Sequence, residues 1–502
     1  MDFFRRHKLE FFVLLILTLV YLATRFYSIL SLPIFTDEAI YIRWAQIAKQ
    51  DANWRFISLT DGKQPMFIWL MVISLRFIQD PLLAGRVVSV GAGFVTLIGM
   101  YFLGKEIFKN NKIGLVSSAL YIIFPMALVY DRMALYDSLV GSFAVWALFL
   151  IVLLGRKVRL DIALILGMVI GGGVLTKTNA FFSVYLLPFS LLLFNWGKEK
   201  LGSRLLKWAS LCLVSVALAY SFYSILRLSP FFHIIIEKNA IFVYPLKEWI
   251  QHPFEFFAGN WRALWDWTTR YLTWPLLALV VGSFFVNKSF LREKLVLFLW
   301  FIVPIVALGL FGKTLFPRFI FFMILPLLPL IAFYLISIYT KMKKLYVFLI
   351  FLFLVFVPAF KTDYLILNDF ANAYIPVSDT EQYLTDWPAG GGAKGAIEFF
   401  KKEIEKGKIY VATQGTFGLM PFALEIYLVN NPNIRIEGYW PVGDVIPVKV
   451  IEMSRKFPTY FLFYQPCFSC AYPGAAPVQW NLNPILRIKG AGDNYTSIYR
   501  IK

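Results

Sequence analysis

The residues best suited to chemistry stand at Phe35-Thr36-Asp37-Glu38-Ala39, where the first long apolar run gives way to the first polar loop. Two adjacent carboxylates there suit proton transfer, and Tyr41, Arg43 and Trp44 follow one turn on. Acids at a helix start also favour the macrodipole, with Thr36 a fair N-cap. Asp37 therefore has two readings: helix start, or general base and acceptor-binding carboxylate at a membrane surface. Further polar groups follow along the chain. Asp61-Gly62-Lys63-Gln64-Pro65 closes the polar part of the loop, and Asp131-Arg132-Met133-Ala134-Leu135-Tyr136-Asp137-Ser138 joins two apolar runs. Thr176-Lys177-Thr178-Asn179 joins two more, while Lys313 and Arg318 bracket the turn from Gly312 to Pro317. Lysine and arginine in such turns fit a phosphate at the lipid surface through charge-assisted hydrogen bonds. Snorkelling to head groups is the alternative for each taken singly. A carboxylate beside such cations suits group transfer from a lipid phosphate. Asp37 would take a proton from an acceptor hydroxyl or amine while the cations stabilise the departing phosphate.

Membrane helices must position these groups. With 502 residues, 59% of them hydrophobic, and a mean hydropathy of +0.66, the chain has too little polar surface for a soluble globule. The net charge of +19 lies in short clusters between apolar runs, which fits positive-inside topology better than a nucleic-acid surface. The first run, roughly Leu9 to Leu30, follows Arg5, Arg6 and Lys8, is too long for a signal-peptide core, and reads as a retained anchor. Spans of about 20 residues are expected to begin near 9, 82, 113, 136, 161, 180, 206, 270, 295, 317 and 345. With a cytoplasmic N-terminus, each short basic cluster then lies inside and every turn named above lies outside. Pro65 to Gln79 is too short to span and is expected on the outer interface, within a long first loop over 31–81. A second outer loop over 228–269 carries Tyr244, Trp249, Trp261, Trp265 and Trp267, either as an interfacial belt or as stacking surfaces for sugar or polyprenyl chains.

Residues 1–360 thus read as a membrane domain and 361–502 as a soluble extracytoplasmic α/β domain. In the latter, patterning predicts helices over Ala393–Lys406 and about Leu419–Val429. Strands are predicted at Ile409–Thr413, near Ile434, and over Tyr460–Tyr464, Pro484–Ile488 and Tyr495–Ile501. Gly390 to Gly392 lack the Lys-Ser/Thr of a phosphate loop and read as a linker or helix entry. Cys467 and Cys470 suit a local disulfide if this end is extracytoplasmic, whereas Cys212 reads as a packing residue.

From about residue 30 to 335 the chain resembles the polytopic GT-C glycosyltransferases, most closely the prokaryotic branch of the dolichyl-phosphate-mannose protein mannosyltransferase and lipid A aminoarabinose transferase group. The likeness rests on Asp37-Glu38, on Lys63-Gln64-Pro65 with Trp69, and on Arg86 opening the second span. Pro125 with Arg132 and Asp137, Leu175-Thr176-Lys177, and Arg318 ahead of Leu325-Pro326-Leu327-Leu328-Pro329 continue it in family order. The resemblance implies a polytopic α-helical membrane protein of GT-C type, with about 11 transmembrane helices and a C-terminal extracytoplasmic α/β domain. It also implies a polyprenyl-phosphate sugar donor and an inverting hexosyl or pentosyl transfer on the extracytoplasmic face of the plasma membrane. Asp37 would be the base, with Glu38 and Asp137 shaping the acceptor or sugar site. Lys63, Arg86 and Arg318 would meet the donor phosphate, with Lys177 beside them; Tyr41, Asp61 and Arg132 are expected to meet acceptor or sugar. Gln64 departs from the proline of many relatives, which bears on the backbone around Lys63. Some members of the wider class use a divalent cation and others do not; the carboxylates here could bind one, but no His joins them, and no metal is predicted. Protein, lipid or polysaccharide are the acceptor classes, membrane lipids are further partners, and nucleic acid is not. A transporter or flippase would place its charges near helix centres, often within internal repeats, and none are seen. A noncatalytic envelope assembly protein would tolerate loss of Asp37.

Overall fold

Apolar runs become long helices wherever proline and glycine do not interrupt them. The computed structural model describes residues 8–197, 200–342, 344–466, 470–492 and 494–502. Among these, Lys8–Phe26, Pro81–Phe108, Tyr136–Lys157, Leu201–Leu228, Lys288–Phe311 and Leu345–Asn368 are helical, long and apolar enough to cross a membrane. Pro317–Ile324 and Leu327–Tyr339 make a seventh if the two, bent by 48°, act as one span. Pro326 lies at that break and can donate no backbone hydrogen bond. The expected starts near 113, 161, 180 and 270 give shorter or broken pieces. They are Asn111–Ile122 followed by Pro125–Tyr130, then Leu160–Val174, residues 178–193, and Trp274–Ser283. Pro125 supplies one physical reason: the residue before it, Phe124, is driven to φ −87, ψ 111, so the first helix stops and a second begins. Met66–Ser74 is a nine-residue helix, too short to cross, as expected for that stretch.

The chain divides into two compact units. The first takes the residues up to Tyr27, then Arg55–Phe67 and Val87–Pro376; the second takes Ser28–Trp54, Ile68–Arg86 and Val377–Lys502. The boundary expected at 360 falls inside the helix Leu345–Asn368, and the stretch carrying Asp37 clusters with the C-terminal residues.

In the second unit, β1 (Ile409–Gln414), β2 (Ile434–Tyr439), β3 (Thr459–Phe463), β4 (Pro484–Lys489) and β5 (Tyr495–Ile501) form one sheet in the order β2-β1-β3-β5-β4. β1 runs parallel to β2 and β3, whereas β5 pairs antiparallel with β3 and β4. The central strands β1 and β3 are buried along their whole length, while edge strand β4 alternates. Phe461 stands between Ala412 and Tyr499 in register and packs with Tyr410, Phe463 and Trp480 on one face. On the other face, the helix Ala393–Glu405 buries Ala396, Ile397, Phe400 and Ile404, and the Phe400 and Tyr460 rings meet at 5.7 Å. The glycine run is a helix entry under close packing. A Cβ on Gly390, at φ +63, would lie 2.3 Å from the Ile34 carbonyl oxygen. One on Gly392 would lie 2.2 Å from the Thr496 hydroxyl. Cys470 is disulfide-bonded, Cys467 lies outside the described residues, and Cys212 is a free thiol in a membrane helix.

Candidate active site

Asp37 occupies the first turn of the helix Thr36–Gln50 and is half-buried. Thr36 does not cap that helix; its hydroxyl donates to the Pro388 carbonyl at 2.9 Å, and Phe35 holds the N-cap position. Glu38 does the capping instead, accepting the Phe35 N–H at 3.1 Å. The rest of the Glu38 carboxylate is taken by Arg86, whose Nε donates to Oε1 and Nη2 to Oε2, both at 2.8 Å. The other Arg86 N–H groups donate to the carbonyls of Ile29 at 2.6 Å, Leu32 at 3.2 Å and Pro33 at 3.0 Å. Both side chains are wholly buried.

All five guanidinium donors of Arg86 are therefore engaged, which revises its expected contact with a donor phosphate. It fastens Glu38 and the turn 29–33, and so fixes the backbone from which Asp37 projects. Tyr41, expected at acceptor or sugar, is buried against Trp44, with ring centroids 5.9 Å apart, and so takes part in the packing of this helix.

The first unit gathers the remaining candidates. Lys63 stands 3.8 Å from Asp61, and Lys238 donates to Asp61 at 2.7 Å. Gln64 Nε2 donates to the Thr178 hydroxyl at 2.7 Å, the Met66 N–H donates to the Leu175 carbonyl at 3.0 Å, and the Tyr136 hydroxyl donates to the Gln64 carbonyl at 3.0 Å. These bonds clip Lys63-Gln64-Pro65 to Thr176-Lys177-Thr178. Lys177 in turn donates to Asp137 at 2.8 Å and lies 4.7 Å from the centroid of the Phe319 ring, next to Arg318. Arg318 is half-buried over Phe316, 4.8 Å from its centroid.

The result brings Lys63, Lys177 and Lys238 together with Asp61 and Asp137 on segments clipped to one another, with Arg318 next in sequence to the Phe319 ring under Lys177. Cations gathered in this way suit a phosphate. Asp61, expected at acceptor or sugar, is held between two lysines, Lys63 and Lys238. Among the described residues, no three His, Cys, Asp or Glu side chains gather as metal ligands.

The other acid of the 131–138 turn is a structural one. Asp131 is fully buried and accepts from Ser138 at 2.8 Å, from Tyr121 at 3.0 Å, from Tyr21 at 3.2 Å and from Arg25 Nε at 3.4 Å. Arg25 also donates to the carbonyls of Ile122 and Tyr121. Arg132, expected at acceptor or sugar, is 3% exposed and donates to the Tyr27 carbonyl at 2.7 Å, so it anchors the turn to the end of the first helix. Lys238 and Arg25 were not anticipated from the sequence. The signal available for Arg25 was a lone charge set among apolar residues, costly unless partnered, and for Lys238 a Glu237-Lys238 pair after three isoleucines.

With this geometry in view, likeness to known proteins can be read. Residues 62–223 match the family profile described as dolichyl-phosphate-mannose-protein mannosyltransferase. Among solved structures, the fold is similar to ArnT from Cupriavidus metallidurans bound to undecaprenyl phosphate. The TM-score is 0.58 at 13% identity, over 99% of this chain and 98% of that one. ArnT in the apo state gives 0.58 at 12% identity over 97% of each chain. The archaeal oligosaccharyltransferase AglB from Archaeoglobus fulgidus, in complex with an inhibitory peptide and a dolichol-phosphate, gives 0.56 at 11% identity, over 91% of this chain and 69% of that one. Comparison with curated protein sequences finds no match.

Proposed function

We propose, from the premise that this is a GT-C-type membrane protein of the mannosyltransferase and ArnT-like kind, that it moves a sugar from a polyprenyl-phosphate donor to an extracytoplasmic acceptor with inversion. The observation that carries the reading is the gathering of Lys63, Lys177 and Lys238 with Asp61 and Asp137 on segments clipped together, Arg318 standing next to the Phe319 ring under Lys177. That ArnT is seen with undecaprenyl phosphate, and AglB with a peptide and a dolichol-phosphate, supports a lipid-phosphate donor. The acceptor is a hydroxyl or amine on protein, lipid or polysaccharide.

In the proposed step the acceptor atom attacks the anomeric carbon, and Asp37 takes the acceptor proton. The bond from the anomeric carbon to the phosphate oxygen breaks, and the polyprenyl phosphate leaves. A single displacement of this kind inverts the anomeric centre. Charge grows on the departing phosphate, and the fixed lysines and Arg318 offer ready-made compensation that water would have to reorganise to supply. Glu38 and Arg86 hold Asp37 in place, and Asp137 holds Lys177.

The test is transfer of labelled sugar from a panel of polyprenyl-phosphate sugars in native membrane extract, comparing wild type with Asp37→Asn. Asp37→Asn is expected to retain its fold and to lose transfer by roughly 10²–10⁴-fold, the range of a general base. Equal turnover by the variant, or no transfer from any donor in the panel, overturns the reading.

A further inference from the structure

The helix carrying Asp37 is fifteen residues long, a length at which an isolated helix is marginal in water. Its order must come from what it packs on, and the second unit shows what that is. Arg43 Nε pairs with Glu425 Oε2 at 2.5 Å, with side chains only 12% and 16% exposed. Gln46 donates to the Ile426 carbonyl at 2.8 Å, and Gln50 to Asn430 at 3.3 Å. The Thr36 hydroxyl bonds the Pro388 carbonyl, the Phe35 and Tyr383 rings meet edge-to-face at 5.0 Å, and Trp44 packs on Phe417 at 6.1 Å. The glycine at 390 exists so that the chain can approach Ile34. One side of the helix 36–50 is thus fastened from end to end by residues 383–430.

We infer that the C-terminal domain is the positioning clamp of Asp37, with the Arg43–Glu425 pair its central fastening and the Thr36–Pro388 bond its fastening at the helix start. A general base works only when held within about 0.5 Å of its productive place, and a helix dock of this kind supplies that constraint. Arg43 and Glu425 act through Asp37 and are positioning residues. The inference rests on the transferase reading for its consequence in turnover, but not for the clamp itself.

The test uses the full chain in nanodiscs and four proteins: wild type, Glu425→Gln, the exchange Arg43→Glu with Glu425→Arg, and Lys449→Gln, which breaks the Lys449–Glu437 pair elsewhere in the domain. Two quantities are read: backbone hydrogen exchange over 37–50, and turnover with the mannosyl and aminoarabinosyl phosphates of undecaprenol and dolichol. Glu425→Gln is expected to speed exchange over 37–50 about tenfold and to lower kcat about tenfold, with KM for the donor within about twofold. The charge exchange is expected to restore both, and Lys449→Gln to change neither. Exchange in Glu425→Gln equal to wild type, or no recovery in a folded charge-exchanged protein, overturns the clamp. If wild type transfers from none of these donors, the transferase reading falls, and the exchange measurement alone decides the clamp.

Discussion

At the scale of single residues, buried charges that hold the backbone differ from the partly exposed charges that the proposed transfer would use. Arg86 belongs to the first kind. Removing it strands a buried Glu38 carboxylate and three carbonyls, so Arg86→Ala is expected to cost about 3–5 kcal/mol, and Arg86→Lys, which cannot reproduce the bidentate fork, a substantial part of that. Lys177 belongs to the second kind, with its side chain 26% exposed. Lys177→Gln is expected to lower transfer by about 10²–10³-fold while leaving the melting temperature near wild type. Thermal unfolding of the two purified variants beside their transfer rates checks the contrast. A Lys177→Gln protein as unstable as Arg86→Ala would merge the two kinds. The sequence made Glu38, Arg86, Asp137 and Lys177 all visible, because each is an ionisable group at a membrane edge. What it could not display is which charges neutralise which, since Glu38 meets Arg86 and Asp137 meets Lys177 across 48 and 40 residues. Only the folded backbone sets those distances.

At the scale of elements, the sheet is where patterning was most readable. The predicted strands all formed, because β1 and β3 are short apolar runs bounded by turns and β4 alternates in the manner of an edge. Strand order was not readable, since a parallel β2-β1-β3 set beside an antiparallel β3-β5-β4 set follows from side chains on both faces, not from any one segment. Edge strand β2 also carries a pH-dependent element. Burial would raise the Glu437 carboxyl, but hydrogen bonds from Lys449, Tyr410 and Arg435 outweigh it and hold the group down to about 2, from an ordinary value of 4.5. A carboxylate depressed in this way stabilises the fold fully above its ordinary value, and that contribution is lost as pH falls from about 4.5 towards 2. Glu437→Gln is therefore expected to loosen β2 at neutral pH and to flatten the acid dependence across that window. Exchange of the β1 and β2 amides, normalised to intrinsic rates at each pH, gives the readout. A wild-type profile as flat as that of the variant would remove Glu437 from the account.

At the scale of the whole molecule, the side of the membrane on which each loop lies depends on parity more than on the number of spans. The four shorter pieces near 113, 161, 180 and 270 leave the relation between the two termini unchanged when counted together, because four is even. The bent pair Pro317–Ile324 and Leu327–Tyr339 does not cancel in this way. If the pair crosses, the six long helices become seven, and the N- and C-termini lie on opposite faces, as the basic clusters demand. If it is re-entrant, both termini share a face. Arg318 sits at the entry to this pair, so its side, counted from the N-terminus, is the same in both cases, and what changes side is the chain after Tyr339, the C-terminal domain included. Single cysteines at Lys109 and Lys502, both exposed, can be placed in a Cys212→Ala chain and labelled with a membrane-impermeant maleimide in sealed right-side-out vesicles. Between those two positions a crossing pair leaves an odd number of spans. Lys502→Cys is accordingly expected to react at once, and Lys109→Cys only after permeabilisation. Labelling of both from one side would make the pair re-entrant and place Lys109 with the C-terminal domain. If both react from outside, Lys63, Lys177 and Arg318 belong to the inner face and the positive-inside pattern loses its force; if both react only after permeabilisation, those residues stay outside and the C-terminal domain is cytoplasmic.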